Sequence, residues 1–226
     1  VSISEMRIVD EHQHVMTIGG TLGVHERAVG AVELTIQSED FEVIDNALAE
    51  LKLHINVHVS GETRTPRVEG LIEVENGTIN VQEILEQTAA DPYATEATII
   101  ETPAEKPEEP QTPTMFNALD MNVGVSIPSN LVIRGSDLRP ANAPISIGDI
   151  NVTVGGLVQA RKPRGSNDLR ITGEVNTVRG NYDFQGRRFE LMRDARIRFA
   201  GPDELNPLLD LRARRVIAAV ETFVRV

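Results

Sequence analysis

The chain has 226 residues, 40% of them hydrophobic but only 4% aromatic, with no tryptophan, so any large interior must be built from Val, Ile and Leu. It has no cysteine, which excludes disulfides, thiolate metal sites and cysteine nucleophiles. The net charge of −12 is uneven: residues 1–113 hold 22 of the 34 acids but only six of the 22 Lys and Arg, and no apolar run is long enough to span a membrane as a helix.

The chain starts at Val1 and stops inside the strand-like "IAAVETFVRV", so it reads as a piece of something longer. "DEHQH" (10–14) reads as a polar turn, although His12 and His14, two apart, could touch one metal if they lay on a strand. "AVELTIQ" puts Val32, Leu34 and Ile36 on one strand face. "SEDFEVIDNALAELK" offers Ser38 or Asp40 as an N-cap and predicts about two amphipathic helical turns. "LKLHINVHVSG" alternates strictly through Leu51, Leu53, Ile55, Val57 and Val59, which leaves His54 and His58 on the wet face, too far apart for one ion. "NVQEILEQTAAD" predicts a second short helix from near Asn80.

Residues 92–114 carry five prolines, and with Asp91 six acids against one lysine, the composition of a disordered loop or linker. The expected division is a β segment with short helices over 1–91, this loop, and a second β segment over 115–226. In the second segment "MNVGVSIP" gives Val123, Val125 and Ile127, and "NLVIRG" gives Leu131 and Ile133. "ISIGDINVTVGG" changes parity at Gly148, from Ile145 and Ile147 to Ile150, Val152 and Val154. Residues 168–201 read as four or five short antiparallel strands, with Leu169, Ile171, Val175, Tyr182, Phe184, Phe189, Leu191, Ile197 and Phe199 on the apolar face. "LLDLRA" adds Leu209, Leu211 and Ala213. An internal echo, Gly70/Gly77 and Gly173/Gly180, spaces two glycines seven apart in each half and suits turns or bulges that switch the exposed face.

About sixteen strands and two short helices cannot be reconciled with helical cover of the sheet. No Gly-x-Ser-x-Gly elbow, phosphate loop, carboxylate pair or calcium-loop rhythm is present, so neither an enzyme nor a cofactor is indicated. The arginine clusters at 161–164, 186–188, 193–198 and 212–215 read as solvated alternate strand positions, with contact to anionic head groups or an acidic partner as the sharper reading. Without interleaved aromatics they make no stacking surface for nucleic acid.

The stretches "GEVNTVRGNYDFQGRRFEL", "ARIRFAG" and "NPLLDLRARR" resemble the C-terminal domain of the TamB family, among the AsmA-like bridge-type lipid-transfer proteins of diderm envelopes. Gly173, Gly180, Tyr182, Phe184, Gly186, Phe189, Phe199, Gly201, Pro207 and Leu209 stand at the family's habitual positions. Residues 59–81 and 119–138 resemble elements that recur upstream, and Ala195 replaces a more usual glycine. The resemblance implies an elongated antiparallel sheet, all-β, curled lengthwise into an open hydrophobic groove. It further implies that phospholipid acyl chains lie along the groove, in a periplasmic protein anchored in the inner membrane. An outer-membrane BamA-like barrel is the partner it implies, reached through a C-terminal segment missing from this chain. On that reading the apolar strand residues named above from Val32 to Leu211, apart from Leu51, Val59 and Ile150, line the groove. The competing expectations are a packed β-sandwich or solenoid, and an assembly module that templates nascent barrels through an edge strand. Absent aromatic girdles disfavour a lipid-facing barrel.

Overall fold

The computed structural model describes residues 2–25, 28–89, 115–139, 146–166, 168–200, 208–217 and 220–225. Its elements in chain order are β1 (Ser2–Val9), β2 (Val15–His25), β3 (Ala28–Asp45), β4 (Ala49–Glu62), β5 (Thr65–Asn80), α1 (Val81–Ala89) and α2 (Met115–Ala118). Then come β6 (Asp120–Gly135), β7 (Asp149–Lys162), β8 (Arg170–Phe184), β9 (Arg187–Leu191) and β10 (Arg196–Ala200). β11 (Leu208–Asp210), β12 (Arg212–Ile217) and β13 (Val220–Arg225) complete the chain. All thirteen strands belong to one open sheet. The proline-rich stretch 92–114 lies outside the described residues.

The main path runs from β1 to β9 in chain order and then to β12 and β13. At the far edge of β8, β10 pairs with its first half and β9 with its last, and β11 extends from β10. Every pairing is antiparallel except β5–β6, which is parallel. A parallel step cannot be made by a tight turn, and the connection from Asn80 to Asp120 with α1 and α2 makes it. The fold is therefore mixed at one seam, a correction to the all-antiparallel expectation.

Fewer and longer strands form than the sequence pattern predicts. The segment 38–45 continues β3 instead of forming a helix, and residues 46–48 make the turn into β4, where the Asn46 carboxamide oxygen accepts from the N–H of Leu48 and Ala49. Residues 168–200 form three strands, because 170–184 is one strand through Gly173 and Gly180. With eleven strands on the main path, spaced about 4.8 Å apart, the sheet spans about 53 Å rather than the ~80 Å that sixteen strands would give.

The strands bend at a common line. The register slips between Ser38 and Phe41 in β3, at Leu53 in β4, between Glu73 and Gly77 in β5, between Ile127 and Leu131 in β6, and at Thr153/Val154 in β7 against β8. Each slip is a β-bulge or a similar irregularity of the ladder, and bulges kink a strand and increase its twist. Neighbouring bulges lie beside one another, so they form a crease across the middle of five strand pairs. Asp40 (φ 53°) and Ser129 (φ 87°) hold left-handed backbone on this line. The Asn130 side chain crosses it, donating from Nδ2 to Val74 O at 2.7 Å and also to Glu75 O. At Gly155 a Cβ would lie 2.7 Å from Ser129 Oγ and 3.0 Å from its Cα, so the two strands meet here only because position 155 lacks a side chain.

The polar turn expected at 10–14 is the β1–β2 hairpin. Asp10 caps it, accepting from the N–H groups of His12 and His14 on Oδ1, and from the Glu42 N–H and His14 Nδ1 on Oδ2. Burial opposes ionisation of Asp10. The hydrogen bonds from Glu42, from the His14 ring and N–H, and from His12 outweigh it and hold the carboxyl well below the usual carboxylate range.

Candidate functional site

The strand registers align side chains into rows that cross the sheet. One row runs Ile36, Val57, Gly70, Val123, Ala160, Ile171 from β3 to β8. The next runs Ser38, Ile55, Ile72, Val125, Val158, Gly173, Phe199. Beyond the crease, Ile44, Leu51, Gly77, Leu131, Val154 and Thr177 form another, and Ala49, Ile79, Ile133, Val152 and Gly180 the one after it. Paired residues point to the same side of a sheet, so these rows form one face that is aliphatic or glycine except for Phe199 and two hydroxyls. Ser38 Oγ, one of the two, donates to Leu53 O.

Of the residues read from sequence as a lining, Val32, Leu34, Ile36, Leu53, Ile55, Val57, Val123, Val125, Ile127, Leu131, Ile133, Val152, Val154, Ile171 and Val175 share this face. Tyr182, Phe184, Phe189, Leu191, Ile197 and Phe199 extend it through β8, β9 and β10. Tyr182 stacks near Phe184, with ring centroids 6.3 Å apart, and its hydroxyl donates to Ile147 O. Five of the residues read as lining stand outside the set that these strand registers align. Ile147 precedes β7 with its side chain 43% exposed, and Leu169 precedes β8, also exposed. Leu211 is half-buried at the break between β11 and β12. Leu209 pairs by backbone with Ile197, and Ile145 lies outside the described residues.

Sequence reasoning left out Met16, Ile18, Ile72, Val74, Ile79 and Val158, which belong to the same rows. In β5 the alternation is broken by the bulge at Glu75, and in β2 by Gly19, Gly20 and Gly23. The odd spacing of the glycine echo was a usable signal. Gly70 and Gly77 both face inward although seven residues apart, as do Gly173 and Gly180, because one bulged residue lies between them.

Across β5 to β8 apolar side chains of this face form a buried cluster. Val74, Ile127, Leu131, Val152, Val154 and Val175 are all buried, with Leu51, Leu53, Leu191, Ile197 and Phe199 against them. Toward β3, Leu34, Ile36 and Ile55 stay half-buried, and Met6 and Ile8 of β1 are exposed. Thus one open sheet carries both buried and half-exposed apolar side chains on this face, in place of the two facing sheets of a sandwich.

One end of the Leu34, Val59, Val68, Met121 row is closed by Lys162, which is 0% exposed. Its ammonium donates to Leu119 O (2.8 Å), Asn117 O (3.2 Å) and Pro163 O (3.3 Å) and lies 4.9 Å from the Phe116 ring centroid of α2. All three donors are used, so this cation is not available to a phosphate. The opposite face is polar. Arg196 and Arg198 flank Glu174, Arg214 bridges Glu190 and Glu221, and Arg188 pairs with Asp183. These arginines occupy the solvated alternate positions, where each exposed pair contributes little stability.

Among known protein families, the TamB C-terminal domain matches residues 4–226. No curated protein matches the chain.

Proposed function

We propose, starting from the fact that this chain belongs to the TamB C-terminal domain family, that its apolar face holds phospholipid acyl chains and lets them slide along the sheet. The family is non-catalytic, is linked to outer-membrane protein assembly, and consists of cell-envelope proteins. The observation that carries the reading is the continuity of the rows: six strands in succession, β3 to β8, present aliphatic side chains or glycine, with Ser38 and Thr177 as exceptions, on one face of an open sheet.

Each methylene moved from water onto such a face contributes about 0.8 kcal/mol. The lining is mostly Val, Ile and Leu, and its polar groups Ser38, Thr177 and Lys162 are buried, so few polar atoms would stop a chain and occupancy and movement are compatible. Head groups would remain at the rim. The parent protein would lie in the periplasm, anchored in the inner membrane, with a barrel partner at the outer membrane. The family's link to assembly also favours a second reading, in which an edge strand templates a nascent barrel. The observation behind it is β13, whose Val220, Phe223 and Val224 are exposed at one end of the sheet path.

The test is mass spectrometry of lipid that co-purifies with the chain, compared with Ile55→Arg on the apolar face and Leu157→Arg on the polar one. Leu157 is 59% exposed, so arginine is tolerated there. Phospholipid bound by the native chain and by Leu157→Arg but lost from a folded Ile55→Arg is the expected result. A chain that binds no phospholipid, or binds it equally in Ile55→Arg, overturns the reading.

A further inference from the structure

The β1–β2 turn brings together groups that the apolar face does not use. Gln13 in left-handed backbone (φ 69°) closes the hairpin, and the left-handed Asp40 turns β3 so that Glu42 comes beneath it. Glu42 Oε2 then lies 2.8 Å from His12 Nδ1, and Asp10 Oδ2 lies 2.8 Å from His14 Nδ1. The Asp10 and Glu42 side chains are only 4% and 6% exposed, whereas His12 is 53% exposed. Two dry carboxylates therefore face an imidazole whose other edge meets solvent. One ligand atom each from Asp10, His12 and Glu42 lies within 4.8 Å of the other two.

Two carboxylates out of water need positive charge nearby. An imidazolium supplies one charge through its proton. A divalent ion supplies two, and imidazole nitrogen with carboxylate oxygen is the donor set of zinc-class ions, at about 2.0–2.2 Å from the metal. We propose that Asp10, His12 and Glu42 form a binding site for a divalent transition metal of the zinc class. His12 coordinates through Nδ1, giving up the proton it now shares with Glu42 and carrying one on Nε2. Asp10 already accepts four hydrogen bonds, so one must yield. Three come from main-chain N–H groups fixed by the hairpin and β3, and the fourth comes from the His14 ring, which is 33% exposed and can turn. The exposed side of His12 leaves an entry path and an open position for water. The bound ion would pin the β1–β2 hairpin to β3 at the open end of the sheet.

The test is zinc titration by calorimetry on the purified chain, with cobalt absorption in the visible as a report on ligand geometry. One zinc per chain is expected, with a tetrahedral or five-coordinate cobalt spectrum and a raised melting temperature. Glu42→Gln, which keeps the shape and the contact to His12, and His12→Gln should both abolish binding while circular dichroism is unchanged. His14→Ala, which removes the one hydrogen bond to Asp10 that must yield, should leave zinc binding intact. No zinc uptake, or equal uptake in His12→Gln because ions settle on the other histidines, overturns the site.

Discussion

Replacing Gly155 by alanine tests the crease directly. The new methyl would stand 2.7 Å from Ser129 Oγ and 3.0 Å from the Ser129 Cα and N, so β6 or β7 must move where both are already bent. Overpacking of this kind costs about 1–3 kcal/mol, and alanine recovers about 0.5–1 kcal/mol of glycine's entropy disadvantage in a strand. A net loss of about 1–2 kcal/mol remains. Urea denaturation followed by far-ultraviolet circular dichroism reads it. With a slope of roughly 2 kcal/mol per molar, the midpoint falls by about 0.5–1 M. Ser129→Gly removes the nearer atom and suits the left-handed φ of 87°. Alone it changes little, because relief of the backbone is offset by the greater freedom of glycine in the unfolded chain. Combined with Gly155→Ala it should restore at least about 0.5 kcal/mol, a coupling measurable in a double-mutant cycle. If Gly155→Ala leaves the midpoint unchanged, or Ser129→Gly restores nothing, close approach at residues 129 and 155 does not set the bend.

Asn130→Ala removes the donor that crosses the crease to Val74 O and Glu75 O, and should lower unfolding free energy by about 1–2 kcal/mol in the same urea assay. Leu131→Ala deletes a buried side chain that rests over Gly77 and should cost about 3–4 kcal/mol, against under about 0.5 kcal/mol for the exposed Leu157→Ala. Lys162→Met leaves three carbonyls without their donor; protease cleavage near Phe116 should accelerate while the sheet's melting temperature falls only modestly. The Arg225 guanidinium, hydrogen-bonded to Asp210, outweighs partial burial and holds that carboxyl below the usual range. Its stabilising effect is therefore complete above the unfolded carboxylate's pKa of about 4 and is lost as pH falls through the lower folded value. Hydrogen-exchange protection of β12–β13 should drop over that acid window, and Asp210→Asn should abolish the drop.

Alternation in the sequence located most strands and the face they share, because a half-exposed sheet must alternate with period two. What it misread follows from the bulges. Ser38, Phe41 and Ile44 face inward at intervals of three, because two register shifts fall between them, and that interval is also helical. The same effect in β5 hid Val74 and Ile79. The parallel β5–β6 seam left no mark in either strand, since pairing order is not written in local periodicity. His12 was visible as a metal-ligand type in its turn. Glu42, thirty residues away on β3, was not, because only the kink at Asp40 brings it there.

The crease also bears on how such a sequence can change length. Within a regular strand, gaining or losing one residue turns every later side chain over, so only paired changes preserve both faces. At a bulge the ladder already carries a surplus residue, and a single change there alters the bend while leaving the flanks in phase with their partners. Relatives of this chain should therefore keep even spacings along each arm of a strand and collect odd ones near Glu75, Ser129 and Val178. The seven-residue interval that recurs between Gly70 and Gly77 and between Gly173 and Gly180 has the form such a history would leave.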